Sequence, residues 1–136
     1  MINIYIDYDV LLYDLKNEKN LLEALKSFIK LSKNIDIYVL LNHDNVDLTP
    51  IQPYFPFVEL DWNFKELCEK VNPITKDETL ISFDRDNLYE WDYLRGKQIL
   101  ISKNQQLKDF ELGFNKVYIH SSVEEIFTRL RRHIHI

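Results

Sequence analysis

Residues 2–9 read Ile2-Asn3-Ile4-Tyr5-Ile6-Asp7-Tyr8-Asp9, a run of β-branched and aromatic residues closed by acid. Such a run predicts a strand over 2–6 with polar residues at its carboxyl end. Five later stretches also read as strands, and the first three of them close on polar residues in the same way. Ile35 to Leu41 (IDIYVLL) ends in Asn42-His43-Asp44, and Phe57 to Leu60 ends at Asp61. Thr79 to Phe83 (TLISF) ends in Asp84-Arg85-Asp86. Gln98 to Ser102 is a fifth strand, and Lys116 to Ile119 a shorter sixth.

Helical signals fall between these strands. Leu21, Leu22, Leu25, Phe28 and Ile29 follow helical spacing behind Asn20, a capping residue. Trp62 to Val71 is a second helix, stopped by Asn72-Pro73. Asn87 to Arg95 is a third, with Gly96 placed for a left-handed C′ residue. Val123 to Arg132 is the last, with a capping box of Ser121 or Ser122 and Glu124 or Glu125. Residues 8–19 mix Tyr, Asp, Leu and Lys without a clean period, which predicts a loop or small excursion. Pro50, Pro53 and Pro56 predict a loop over 44–56. A further helix fits between the fifth and sixth strands. Alternating strands and helices predict an α/β fold, a Rossmann-like three-layer sandwich with a central, mostly parallel sheet of five or six strands. One domain spans 1–136, without a separate cap.

Composition narrows the function. The chain has 136 residues and only two glycines, Gly96 and Gly113, where average usage gives about nine. Glycine-built phosphate loops cannot be written with them. Net charge is −5, and nothing outside the tail forms the basic face of a duplex-binding protein. Cys68 is the only cysteine, which excludes an internal disulfide and a Cys-rich zinc site. No apolar run approaches the span of a bilayer and no signal-peptide pattern opens the chain. A cytoplasmic protein without a membrane partner is expected. Arg129, Arg131, Arg132, His133 and His135 form a basic tail. It complements the dipole of the last helix, with contact to phosphate or metal as the alternative.

In parallel α/β sheets, ligands sit outside the carboxyl ends of the strands. Acid is dense there. Carboxylates converging on one spot repel unless a cation or shared proton lies between them. Mg²⁺ suits such a place, because it takes oxygen ligands from one or two carboxylates, waters and a substrate phosphate. Asp7 and Asp9 straddle one residue. One could attack phosphorus as a nucleophile, and the other could pass protons to the leaving oxygen and from water.

Ile4-Tyr5-Ile6-Asp7-Tyr8-Asp9-Val10-Leu11-Leu12-Tyr13-Asp14 resembles the first motif of the haloacid dehalogenase-like hydrolases. Leu80-Ile81-Ser82-Phe83-Asp84-Arg85-Asp86-Asn87 resembles their fourth, and is closest to the nucleotidase-type members. The resemblance implies a capless, Mg²⁺-dependent phosphatase or nucleotidase acting through an aspartyl-phosphate, with a phosphorylated small molecule, such as a nucleotide, as substrate. It makes Asp7 the nucleophile and Asp9 the general acid/base. Asp7, Asp9, Asp84 and Asp86 become the metal set. Asn42 takes the phosphate-binding place, and Lys76, or Lys70, offsets charge. Val10, Leu11, Asn42 and Phe83 depart from the pattern. The same fourth segment with Leu94-Arg95-Gly96-Lys97 is also similar to NYN/PIN-type ribonucleases, which would cleave RNA with metal held by Asp84 and Asp86. A degenerate domain of the first family, with a binding or structural role, is the non-enzymatic alternative. An uncapped site leaves room for a large substrate or a homo-oligomeric neighbour.

Overall fold

The computed structural model describes residues 1–31, 34–41, 47–54, 56–103 and 115–134. Its elements are β1 (Ile2–Asp7), α1 (Tyr8–Lys16), α2 (Asn20–Leu31), β2 (Ile35–Leu40), β3 (Val58–Leu60), α3 (Phe64–Lys70), β4 (Glu78–Ser82), α4 (Arg85–Tyr93), β5 (Lys97–Ser102), β6 (Asn115–Tyr118) and α5 (Val123–Ile134). The six strands form one sheet in the order β3-β2-β1-β4-β5-β6. All five neighbouring pairs run parallel. The expected α/β architecture is therefore present. The helix considered between β5 and β6 falls on residues outside the described ones.

Strand alternation builds two cores. Ile4 and Ile6 of β1 join Ile37, Val39, Ile81, Ile99, Ile101 and Val117 on one face, under α1, α2 and α5. Tyr5 points the other way, with Leu40, Leu80 and Leu100, and meets Leu67 of α3 and Leu88 and Trp91 of α4. A strand covered on both faces needs an apolar residue at nearly every position. That is why these strands appear as continuous runs rather than as polar–apolar alternation. Among the described residues, no helix is long and apolar enough to cross a membrane.

Residues 8–16 are helical, not a loop. Val10, Leu11 and Asp14 are the buried positions of α1. Two of the three suit an amphipathic helix, but the third is an aspartate, so the apolar period breaks where the helix turns inward. Asp14 is fully buried. Its Oδ1 accepts from the backbone N–H of Leu21 at 3.0 Å, and its Oδ2 from that of Leu22 at 2.7 Å. It thereby satisfies two donors in the first turn of α2 that helical geometry leaves without partners. Asn20, expected as the cap, instead donates its amide to Glu18 and to the Ser121 carbonyl. At α5, Ser122 is the capping serine, accepting from Glu125 N–H. The full capping box lies elsewhere, between Asn63 and Glu66 of α3.

Gly96 also has a different task from the one expected. Helix α4 ends in a Schellman arrangement, with Gly96 N–H to Trp91 O at 2.9 Å and Arg95 N–H to Asp92 O at 2.9 Å. The left-handed residue is Arg95, at φ 77°. Gly96 is needed for close approach, since a Cβ there would lie 2.1 Å from the Trp91 indole nitrogen. That indole is fully buried and donates to the Glu78 carbonyl at 3.1 Å.

The two positions should respond in opposite senses. Arg95→Gly relieves a left-handed non-glycine residue and is expected to stabilise by about 1 kcal/mol. Gly96→Ala must displace the indole and is expected to destabilise by about 1–3 kcal/mol. Urea unfolding midpoints read both. A loss of stability in Arg95→Gly would contradict this account of the turn.

Candidate active site

The sheet order turns back on itself at β1. The chain runs outward through β2 and β3, then returns to β4 on the other side of β1. The crevice outside the carboxyl ends of β1 and β4 is thus the topological switch point, the usual ligand position in such sheets. The pairing of Ile6 with Ile81 brings the ends of both strands level there.

Asp7 ends β1 and occupies the N-cap position of α1, yet its side chain makes no capping hydrogen bond. Its Oδ2 instead accepts from the Ser82 hydroxyl at 2.5 Å. Ser82 Oγ in turn accepts from the Asp84 backbone N–H at 3.0 Å. Strand β1, strand β4 and the turn into α4 are tied through one hydroxyl. The Asp84 carboxylate has a separate task, capping α4 by accepting from Asn87 N–H at 3.1 Å.

The remaining expected site residues scatter. Asp9 is exposed in the first turn of α1, and Asp86 is exposed in the first turn of α4. Asn42, with His43 beside it, lies outside the described residues. Lys76 stands in the turn before β4, at the opposite end of that strand from Ser82. There its charge acts on Lys97 at the start of β5. A five-residue strand spans about 17 Å, so Lys76 belongs to the amino edge of the sheet and not to the switch-point crevice. Lys70 lies in the last turn of α3 with its ammonium 5.4 Å from the Trp62 ring centroid.

A different lysine occupies the carboxyl edge. Lys103 follows the end of β5, and its exposed ammonium lies 4.6 Å from the centroid of Tyr13 and 4.6 Å from that of Phe83. The two rings meet edge to face at 5.7 Å. Phe83 joins Ser82 to Asp84, so this cation stands beside the turn that holds Asp7. Cation–π contact is worth about 0.5–1 kcal/mol at an exposed place, enough to orient the ammonium without sequestering it. Tyr13 also shares a 3.5 Å hydrogen bond with His120, just past β6. Tyr8 donates to the Asp47 carbonyl at 3.0 Å. Burial, then the charges of Asp47 and Asp9, hold its phenol above the ordinary range. Sequence reasoning missed Ser82, Lys103 and His120. One signal for Lys103 was available: it stands directly after an apolar strand, as Asp7 and Asp84 nearly do.

The donors suit a hard divalent cation in kind, being carboxylates at adjoining strand ends. In number they are few. Among the described residues, no three His, Cys, Asp or Glu side chains gather where one ion could hold them all. Mg²⁺ needs only one or two carboxylates when waters and a phosphate complete its shell, so Asp7 and Asp84 fit that sparse pattern. Burial, then the charges of Glu90 and Glu69, push the Cys68 thiol up to about 11, which disfavours the thiolate. Comparison with protein-family models, with curated proteins and with solved structures finds no match.

Asp14, although within the motif that includes Asp7, is a structural acid. Burial raises its carboxyl from 3.8 to about 6, against the lowering effect of the Leu22 and Leu21 N–H groups. A raised acid binds its proton more readily folded than unfolded. Its contribution to stability is therefore full below pH about 4 and lost as pH rises through about 6. The stability of the wild type relative to Asp14→Asn is expected to fall on the order of 3 kcal/mol between pH 4 and pH 7. Chemical unfolding at both pH values reads this, and a difference that stays constant would contradict it.

Proposed function

We propose that the chain is an Mg²⁺-dependent phosphohydrolase of phosphatase or nucleotidase type, with Asp7 as nucleophile. The observation that carries this reading is the Asp7–Ser82 bond at the switch point. It keeps a carboxylate out of the helix cap beside it and fixes its orientation at the place where parallel sheets bind ligands. A nucleophile needs that positioning more than a structural acid does.

In the proposed cycle one Asp7 oxygen bonds to phosphorus while the bond from phosphorus to the leaving oxygen breaks. Asp9, as general acid, gives a proton to that oxygen. Asp9 then takes a proton from water, whose oxygen attacks the phosphorus of the acyl phosphate and returns Asp7 with inorganic phosphate. Asp7 and Asp84, with Asp86 on the adjoining turn, would hold Mg²⁺, which supplies positive charge to the phosphoryl oxygens. We assign the side-chain cation to Lys103 and withdraw it from Lys76, because Lys103 lies at the carboxyl edge. Ser82 orients Asp7 and is a positioning residue. With no inserted cap among the described residues, the phosphate, rather than an enclosed leaving group, is the main recognition element.

Turnover of an aryl phosphate and a panel of nucleoside monophosphates, with and without Mg²⁺, tests the reading. Asp7→Asn is expected to lower kcat about a thousandfold or more. Lys103→Met is expected to lower kcat/KM about tenfold to a hundredfold, while Lys76→Met leaves it unchanged. Activity that survives Asp7→Asn would remove the assignment. Cleavage of single-stranded RNA dependent on Asp84 and Asp86, without phosphomonoester turnover, would replace it with the nuclease reading.

A further inference from the structure

Lys103 is exposed and stands one residue past β5. A lysine carries its charge on a flexible stem with no preferred direction of its own. Here the direction comes from Tyr13 and Phe83, each with its ring centroid 4.6 Å from the ammonium. An aromatic ring is negative on its face and positive at its edge. The contact holds the cation only while the face is turned toward it. A quarter turn of the Tyr13 ring would present the repelling edge, so whatever fixes that ring also fixes Lys103.

Tyr13 is half-buried on α1, and two rings stand nearly perpendicular to its own. Phe83 lies at 5.7 Å and 88°, and His120 at 6.3 Å and 83°. His120 Nε2 also shares a hydrogen bond of 3.5 Å with the Tyr13 hydroxyl. That bond locates the far end of the ring axis, and the imidazole limits rotation about it. Phe83 belongs to the turn that carries Asp84, whereas His120 reaches in from the turn after β6. That second turn is braced twice. Ser121 N–H donates to the Tyr118 carbonyl at 2.9 Å, and the Ser121 carbonyl accepts from the Asn20 amide of α2. A half-buried imidazole on a braced turn orients its neighbour rather than follows it. Asp9 precedes Tyr13 by four residues on α1, and residues at that spacing share a helix face. The ring therefore keeps the ammonium on the side of α1 that carries Asp9.

We infer that His120 is a positioning residue: through Tyr13 it holds the Lys103 ammonium beside the Ser82–Asp84 turn, ready to meet a substrate phosphate. The inference rests on the phosphohydrolase reading for what the ammonium meets. The contacts from His120 to Lys103 exist before any substrate binds, so they can be tested apart from it.

The first measurement needs no activity. Aromatic rings move the NMR signals of protons above their faces upfield. The Lys103 ε-methylene signals of the full chain are expected upfield of those of Lys76, an exposed lysine at the other edge of the sheet. Tyr13→Phe removes the hydroxyl bond alone, and His120→Leu removes the bond and the imidazole. Both are expected to move the Lys103 signals toward the Lys76 position, His120→Leu further. The second measurement is kinetic. His120→Leu is expected to lower kcat/KM for an aryl phosphate about two- to fivefold. It should lower it no further once Lys103→Met is present, because both changes remove one interaction. A loss of equal size in both backgrounds marks a merely structural role and would overturn the inference. So would Lys103 signals that start at the Lys76 position, or that neither substitution moves. Upfield Lys103 signals lost in His120→Leu, in a protein without Asp7-dependent turnover, would uphold the positioning role and remove the phosphohydrolase reading alone.

Discussion

A buried carboxylate joins two of the helices that cover one face of this sheet. Asp14 accepts two backbone N–H groups of α2 with its two oxygens, and the α1–α2 connection closes around it through Lys19 N–H to the Asp14 carbonyl at 2.9 Å. Because α1 starts directly after β1, fixing its far end fixes everything along it. Tyr8 is held toward Asp47 and Tyr13 toward Phe83, His120 and Lys103. The arrangement is expensive in isolation, since burying an acid costs several kcal/mol unless it is hydrogen-bonded. It persists because two orphan donors of a helix would otherwise be buried as well. The same pairing explains why the carboxyl end of the sheet is lined by side chains from four separate segments rather than by one loop.

What the sequence revealed, and what it hid, follows from that acid. The strands were legible because both faces of the sheet are covered, so each strand needs an unbroken apolar run that no loop imitates. Helix α1 was not legible, since an inward-facing aspartate occupies a place where periodicity demands an apolar residue. Glycine placement was half legible. Gly96 did mark the end of α4, but the left-handed backbone falls one residue earlier, on Arg95, and the glycine answers to the Trp91 indole. Local rules locate such a turn without deciding which residue bears the strain, because that depends on a ring packed from the preceding helix.

The site divides in the same way. Asp7 and Asp84 were legible as strand-end acids, since acid after an apolar run is a local pattern. Their different tasks were not. One carboxylate caps a helix and the other is held by a serine on the neighbouring strand, and only register decides that. Lysines were the least legible. Lys76 is close to β4 in sequence, but it precedes that strand by two residues, and a parallel strand carries its two ends to opposite edges of the sheet. Lys103 lies twenty residues past Phe83 and has no local signature beyond following a strand. Its meaning comes from two aromatic rings, one on α1 and one on the β4–α4 turn.

Scarce glycine gives these placements a common cause. Loops that wrap an anion with backbone N–H groups require left-handed residues in succession, and glycine supplies them most cheaply. This chain takes φ 59° at Lys19 and φ 77° at Arg95 as single residues, where a non-glycine cost is borne once. A phosphate must then be met by side chains, and side chains of opposite sign cannot share one crevice without pairing off. Parallel strands resolve the conflict by geometry. Polar residues gather at both ends of every strand, so Asp7 and Asp84 sit at the carboxyl edge beside the ring-held Lys103. Lys76 and Lys97 stand at the amino edge, about a strand's length from Asp7 and Asp84. A phosphohydrolase built in this way would take its cation from the carboxyl edge, where Lys103 stands between two rings, and not from the lysines a strand's length away.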